Sequence, residues 1–201
     1  MFLFLDAASS IPEFYLIKDK KIVDSIKIVN DIDFKLSDNI IPKYLEISKK
    51  YNLPKHINKL IITTGPGSYT ALRVGASFIA GLSQSMNLPI LVISNETMYQ
   101  CLESSNNQIA IYFESSNNQR FFLYKKGKQF FHEKVENNTY NLPKSINFIF
   151  YNLSLPNFFK KKINSSLFSI KEIVLNNLDN LEFKENLIIK PIYVSNNSIL
   201  N

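Results

Sequence analysis

Lys59-Leu60-Ile61-Ile62-Thr63 runs into a glycine turn, Gly65-Pro66-Gly67-Ser68-Tyr69-Thr70, and then into a stretch of helical periodicity that closes before Pro89. This run constrains the fold more than any other. A short apolar strand at 59–63, a helix over 70–86 and a second apolar strand over 89–93 make a crossover unit. Crossover helices cover a central sheet, so the chain is predicted to be mixed α/β.

The flanking segments extend that pattern. Residues 2–5 read as a strand ending at Asp6, and 13–18 with 21–29 as two more, with Lys18-Asp19-Lys20 as the turn between them. Ser37 or Asp38 is expected to cap a helix running to about residue 51, because Ile40, Ile41, Tyr44, Leu45 and Ser48 share one face. Pro42 is then tolerable in the first turn. A helix over 96–102 precedes the polar run Ser104-Ser105-Asn106-Asn107. With 201 residues, the chain is long enough for two lobes, and this run divides it into 1–104 and 105–201. The second half offers strands at 108–113, 121–125, 129–135 and 147–151. The pairs Asn117-Asn118, Asn137-Asn138 and Asn176-Asn177 are expected in loops.

Composition narrows the setting. Cys101 is the single cysteine, so no intrachain disulfide forms and the cytoplasm is the expected compartment. The apolar start reaches Asp6 too soon for a leader, and no window offers the roughly 18 apolar residues of a membrane span. The net charge of +6 suits proximity to RNA, but Arg73 and Arg120 are the only arginines, which argues against sequence readout. His56 and His132 have no histidine neighbour at helical spacing, so no metal site is expected. No serine stands in a nucleophile motif.

A glycine turn between strand and helix is where backbone amides and the helix dipole meet an anion. Asp6, Gly65, Gly67, Ser68 and Thr70 are therefore candidate nucleotide-binding residues, although the Gly-Lys-Ser/Thr ending of a Walker loop is missing. The alternative is a tight turn in which Ser68 or Thr70 caps the helix. Within the helix, Ser77, Gly81 and Ser85 recur at steps of four beside Ala76 and Ala80, and Leu72, Phe78, Ile79 and Leu82 supply apolar contacts. A glycine inside a helix costs about 1 kcal/mol relative to alanine, so Gly75 and Gly81 imply close approach of another helix, in this chain or in a partner.

The run Gly65-Pro66-Gly67-Ser68-Tyr69-Thr70-Ala71-Leu72-Arg73-Val74-Gly75, followed by Gly81-Leu82 and Pro89, resembles the signature of the TsaB (YeaZ) family. Phe2-Leu3-Phe4-Leu5-Asp6 and Ser94-Asn95-Glu96-Thr97 extend the likeness, and it covers about half the chain. Glu114-Ser115-Ser116-Asn117-Asn118-Gln119-Arg120-Phe121 stands where the family shows an Asp-Ala-Arg run, and Pro191-Ile192-Tyr193-Val194 is similar to its terminal Pro-x-Tyr pattern. Ala71 replaces a usual glycine, Ala7 and Ala8 replace hydroxyl residues, and Ser115-Ser116 replaces the Ala-Arg pair.

The resemblance implies a two-lobed actin-like ATPase (ribonuclease H-like) fold with a reduced second lobe. It further implies a part in making threonylcarbamoyl adenosine beside the anticodon of tRNAs that read codons beginning with adenine. In that system TsaB is the non-catalytic partner of the transferase TsaD, and the ATPase TsaE joins them. No cofactor is then expected on this chain alone, with ATP and magnesium acting at the level of the complex. The expected partner interface is Ile40, Ile41, Tyr44 and Leu45 of the first helix with Leu72, Arg73, Ala76, Ser77, Ala80, Gly81 and Gln84 of the second. tRNA contact would be indirect or weak. Two rival readings remain open at this point, a nucleotide-dependent enzyme with magnesium on Asp6 and a homodimer formed through the same face.

Overall fold

The computed structural model describes residues 1–29, 35–104, 107–115, 119–135, 142–160, 162–185 and 187–192. Strands β1 (Phe2–Asp6), β2 (Glu13–Lys18), β3 (Lys21–Lys27), β4 (Lys59–Thr63) and β5 (Ile90–Ile93) form one sheet in the order β3-β2-β1-β4-β5. β1, β4 and β5 are parallel, as continuous apolar strands joined by crossovers must be, whereas β2 and β3 form an antiparallel hairpin. Asp19 and Lys20 both have positive φ, 50° and 58°, the conformation of a two-residue hairpin turn that matches the twist of its strands.

A second sheet repeats the plan. Strands β6 (Ile109–Glu114), β7 (Arg120–Lys126), β8 (Gln129–Lys134), β9 (Phe148–Tyr151) and β10 (Asn164–Leu167) stand in the order β10-β9-β6-β7-β8. Again the first strand is central, the next two form an antiparallel hairpin, and the last two are parallel to the first. Two mixed five-stranded sheets of one topology are the actin-like arrangement. The second sheet is complete in strands, and its own helices are the short elements.

Helices α1 (Leu36–Tyr51), α2 (Leu53–His56), α3 (Tyr69–Met86) and α4 (Asn95–Leu102) belong to the first half, and α5 (Asn157–Lys160) and α6 (Ile170–Asn177) to the second. α1 packs on α3 through Tyr44 and Phe78, whose ring centroids are 5.3 Å apart, with Phe14 of β2 touching both. α4 packs on α6 and on β7. One apolar core spans both sheets, from Leu5 and Ile62 to Phe113, Leu123 and Val174, and a smaller cluster around Tyr112, Phe122 and Phe159 covers the other face of the second sheet. The chain after α6 returns to the first sheet, where Lys184 exchanges backbone bonds with Ile90 at 2.8 and 2.9 Å and the Ile192 amide donates to the Thr64 carbonyl at 2.7 Å. Among the described residues no helix is long and apolar enough to cross a membrane.

The structure corrects the sequence reading in several places. α1 begins at Leu36 with Lys35 at its cap and no side-chain bond there, so Ser37 and Asp38 lie inside the first turn. Pro42 therefore sits in the second turn, where the Asp38 carbonyl loses its intrahelical donor, and the residue is exposed, leaving that carbonyl to water. Asn176 and Asn177 end α6 instead of lying in a loop, and the Asn177 side-chain Nδ2 donates back to the Ile173 carbonyl at 2.9 Å. β3 ends at Lys27, two residues short of expectation. α2, α5, α6 and β10 were not foreseen. Ser105, Asn106, Ser116, Asn117, Asn118, Asn137, Asn138, Tyr193 and Val194, named in the sequence reading, lie outside the described residues.

Gly75 and Gly81 have different reasons for being glycine. A Cβ on Gly75 would lie 2.9 Å from the Ala7 Cβ and 3.2 Å from Leu5 Cδ2, so α3 rests directly on the end of β1, a strand and not the expected helix. A Cβ on Gly81 would meet nothing within 4 Å. Gly75→Leu is expected to lower the unfolding free energy by about 2 kcal/mol or more, and Gly81→Ala to raise it by about 1 kcal/mol, measured by urea titration. His132 faces the shared core opposite Leu123, neither ring nitrogen has a hydrogen-bond partner, and burial lowers its pKa to about 4. Its neutral form is the native one, so its stability contribution is complete above the unfolded value of about 6.5 and is lost as pH falls toward 4. Acidification over that window should remove about 3 kcal/mol in the wild type, and a His132→Leu variant should show a correspondingly flatter pH profile of stability.

Candidate functional site

At the carboxyl ends of the parallel strands, Asp6 and Thr63 finish β1 and β4 side by side. Asp6 is 4% exposed and Thr63 fully buried. The Thr63 hydroxyl accepts the Ala7 and Ala8 amides at 2.9 and 3.1 Å and donates its proton to Asp6 Oδ1 at 2.9 Å. The same Oδ1 accepts the Ala8 and Ser9 amides at 3.1 and 3.2 Å, while Oδ2 accepts the Ser9 hydroxyl at 2.5 Å. Burial pushes the Asp6 carboxyl up from its ordinary value, and the bonds from Ser9, Thr63 and Ala8 oppose that rise. Four donors thus saturate the carboxylate, and its role here is to hold the 7–9 loop.

That loop fills the space beside the glycine turn. A Cβ on Gly67 would lie 3.1 Å from both the Ala8 Cα and the Ala8 carbonyl oxygen. Gly65, at φ +120°, is in a conformation that L side chains rarely adopt, and a Cβ there would lie 2.8 Å from the Ile192 carbonyl oxygen. Ser68 caps α3, its hydroxyl accepting the Ala71 amide at 3.5 Å, and Thr70 is exposed in the first turn. Of the candidate nucleotide-binding residues, Asp6, Gly65 and Gly67 are therefore committed to the chain's own packing.

Across from the loop, Ser9 forms an antiparallel bridge to Ser115, joining the first half to the end of β6. Glu114 lies opposite Arg120 in the β6–β7 register, with Arg120 Nε 3.7 Å from Glu114 Oε2. The Glu114 amide and carbonyl are both held by the Asn152 side chain at 2.8 Å. Sequence reading missed Ser9 and Thr63. Thr63 was legible in principle, since Asp6 and Thr63 are each the polar residue that ends an apolar parallel strand.

The expected interface residues divide by face. Ile40, Leu72 and Ala76, at 3%, 1% and 7% exposure, lie in the chain's own core and offer no surface to a partner, because helical periodicity turns them inward. Tyr44 is half-buried on Phe14 and Phe78. Ile41 and Leu45 are 56% and 58% exposed, and Arg73, Ser77, Gly81 and Gln84 are exposed on α3, with Ala80 half-buried between them. Arg73 lies over the Tyr69 ring at 5.1 Å and donates to its hydroxyl at 3.1 Å. A groove of about 440 Å³ runs between Arg73, Ser77, Ala80 and Gln84 on α3 and the returning residues Ile188 and Pro191. The stripe of small side chains is thus flanked by the chain's own C-terminal segment and open above. Among the described residues no group of three or more His, Cys, Asp or Glu side chains is placed to hold a metal.

Asp6→Ala strands the Thr63 hydroxyl and the Ser9 amide and leaves the Ala8 amide with Thr63 alone. It is expected to destabilise the protein by about 2–4 kcal/mol in urea titration, whereas Asp6→Asn, which keeps an acceptor for the amides, loses much less.

Comparison with known proteins places this geometry. A family model described as TsaD, tRNA N6-adenosine threonylcarbamoyltransferase, matches residues 34–150, more than half of the chain. A tRNA N6-adenosine threonylcarbamoyltransferase of Buchnera aphidicola subsp. Acyrthosiphon pisum (strain Tuc7) is 40% identical over 48 residues, 24% of this chain and 14% of that protein. The tRNA threonylcarbamoyladenosine biosynthesis protein TsaB of Bacillus subtilis (strain 168) is 36% identical over 42 residues, 21% of this chain and 18% of that protein. These matches span less than a fifth of the relatives' own lengths. Among solved structures, YeaZ from Pseudomonas aeruginosa superposes with a TM-score of 0.61 over 96% of this chain and 99% of that one, at 12% identity, which is a likeness of fold. The chain belongs to the TsaD family, with the fold of its TsaB (YeaZ) members.

Proposed function

We propose that this chain is a non-catalytic subunit in the formation of threonylcarbamoyl adenosine in tRNA, and that its task is to dock the outer face of α1 and α3 on a TsaD-type catalytic subunit in the cytoplasm. The observation that carries the reading is Gly81, an exposed glycine inside a helix with nothing within 4 Å of its would-be Cβ. Such a glycine costs about 1 kcal/mol, and nothing in the chain's own packing requires it. Beside it stand Ser77 and Ala80, and on the neighbouring helix the exposed apolar side chains of Ile41 and Leu45. Slim residues admit a second helix close to α3, and the aliphatic pair buries area at roughly 25 cal/mol per Å² against it.

The packed crevice supports a non-catalytic role, since Asp6 is saturated and the glycine turn is filled by Ala8 and Ile192. Nucleotide and magnesium then act in the assembled complex, which a TsaE-type ATPase joins.

Gly81→Leu is expected to leave the fold and its stability intact and to reduce copurification with TsaD by about tenfold or more, a loss of at least about 1.4 kcal/mol. Equal recovery of the complex with a folded variant would overturn the docking reading. Light scattering that shows a dimer of this chain, undiminished by added TsaD, would assign the face to a homodimer. Micromolar binding of magnesium-ATP by the isolated chain, lost in Asp6→Asn, would assign the crevice to an enzyme instead.

A further inference from the structure

One end of the second sheet carries a concentration of lysines that the docking face does not use. β6, β9 and β10 begin at this end and the β7–β8 hairpin turns there, because Ile109 pairs with Phe148, Asn164 pairs with Phe148, and Lys126 pairs with Gln129. The hairpin tip supplies Lys125, Lys126 and Lys128 around Gly127. Lys144 precedes β9 in the turn closed by the Ile146 amide and the Pro143 carbonyl at 2.9 Å. Lys160 and Lys162 line a polar depression of about 370 Å³ with Asn147 and Asn164. The five strands place these groups along a rim about 19 Å long, four spacings of about 4.8 Å.

The rim has some built order. Lys126 lies over the stacked rings of Tyr124 and Phe131 at 5.6 and 5.2 Å, and Lys125 lies over Phe130 at 5.7 Å while pairing with Glu103 at 3.4 Å. Lys126, Lys128, Lys144, Lys160 and Lys162 are exposed. Of the exposed large apolar residues of this half, Leu153 and Leu167 follow or end β9 and β10 and so lie at the opposite end, and Ile188 lines the α3 groove. A rim of ammonium groups and amides without exposed large apolar side chains suits a solvated row of phosphates better than a bilayer, whose binding draws on apolar insertion.

We infer that this rim binds the sugar–phosphate backbone of a structured RNA, through lysine charge and without base readout. The choice of RNA among polyanions rests on the proposed role in tRNA modification. The contact lies on the second sheet and leaves the α1–α3 face free for a protein partner.

The test is fluorescence anisotropy of a labelled tRNA transcript with the full chain between 50 and 200 mM salt. Lys126→Gln/Lys128→Gln/Lys144→Gln is compared with Lys27→Gln/Lys49→Gln/Lys55→Gln, which removes the same charge from the first half. The rim variant should lose about tenfold in affinity or more, and the slope of log affinity against log salt should shrink by about 2 to 3, while the control variant stays close to wild type. No RNA binding by the wild type, equal loss in both variants, or loss in neither overturns the inference. So does preference of the wild type for vesicles containing 30% phosphatidylglycerol over RNA. Copurification with TsaD is read separately, so failure of the rim leaves the docking reading standing, and the reverse.

Discussion

Asp6 and Thr63 end two neighbouring parallel strands, and the bond between them organises the part of the molecule on which the rest is built. The Thr63 hydroxyl gathers the Ala7 and Ala8 amides, the Asp6 carboxylate gathers those of Ala8 and Ser9, and the 7–9 loop is thereby folded back over the strand ends. Buried amides must find acceptors, and here two side chains supply them all. Once the loop is held, Ala7 sets how closely α3 can lie at Gly75, Ala8 sets the space beside Gly67, and Ser9 reaches Ser115 of the second half.

This closure lies at the strand ends. In an open α/β sheet the carboxyl ends of the parallel strands are where ligands enter. In this chain those ends are packed with backbone from residues 7–9 and with Ile192. The features left without an internal purpose lie on the outside. They are the slim face of α3 beside Ile41 and Leu45, and the lysine rim of the second sheet.

Much of the architecture was legible. Continuous apolar runs marked β1, β4, β5 and β6, and turn residues marked the β2–β3 hairpin, because burial on both faces and tight turns leave strong local signatures. β10 was invisible because Asn164-Ser165-Ser166-Leu167 is a polar edge strand whose pairing comes from β9 alone. Pro42 misled because an exposed proline can stand in a helix whose lost hydrogen bond faces water. The interface reading erred at Ile40, Leu72 and Ala76 because a helical stripe has two edges, and periodicity cannot say which one faces the sheet.

The sequence by itself determined the crossover unit, the glycine turn, the family resemblance and the lack of a paired-histidine motif, since each is written in neighbouring residues whose chemistry acts locally. Only the tertiary structure decided that Gly75 serves internal packing and Gly81 does not, that Asp6 is saturated, and that lysines from three separate segments stand along one rim. Those outcomes depend on which atoms of distant segments come within a few ångströms of each other, and spacing along a chain carries no record of that.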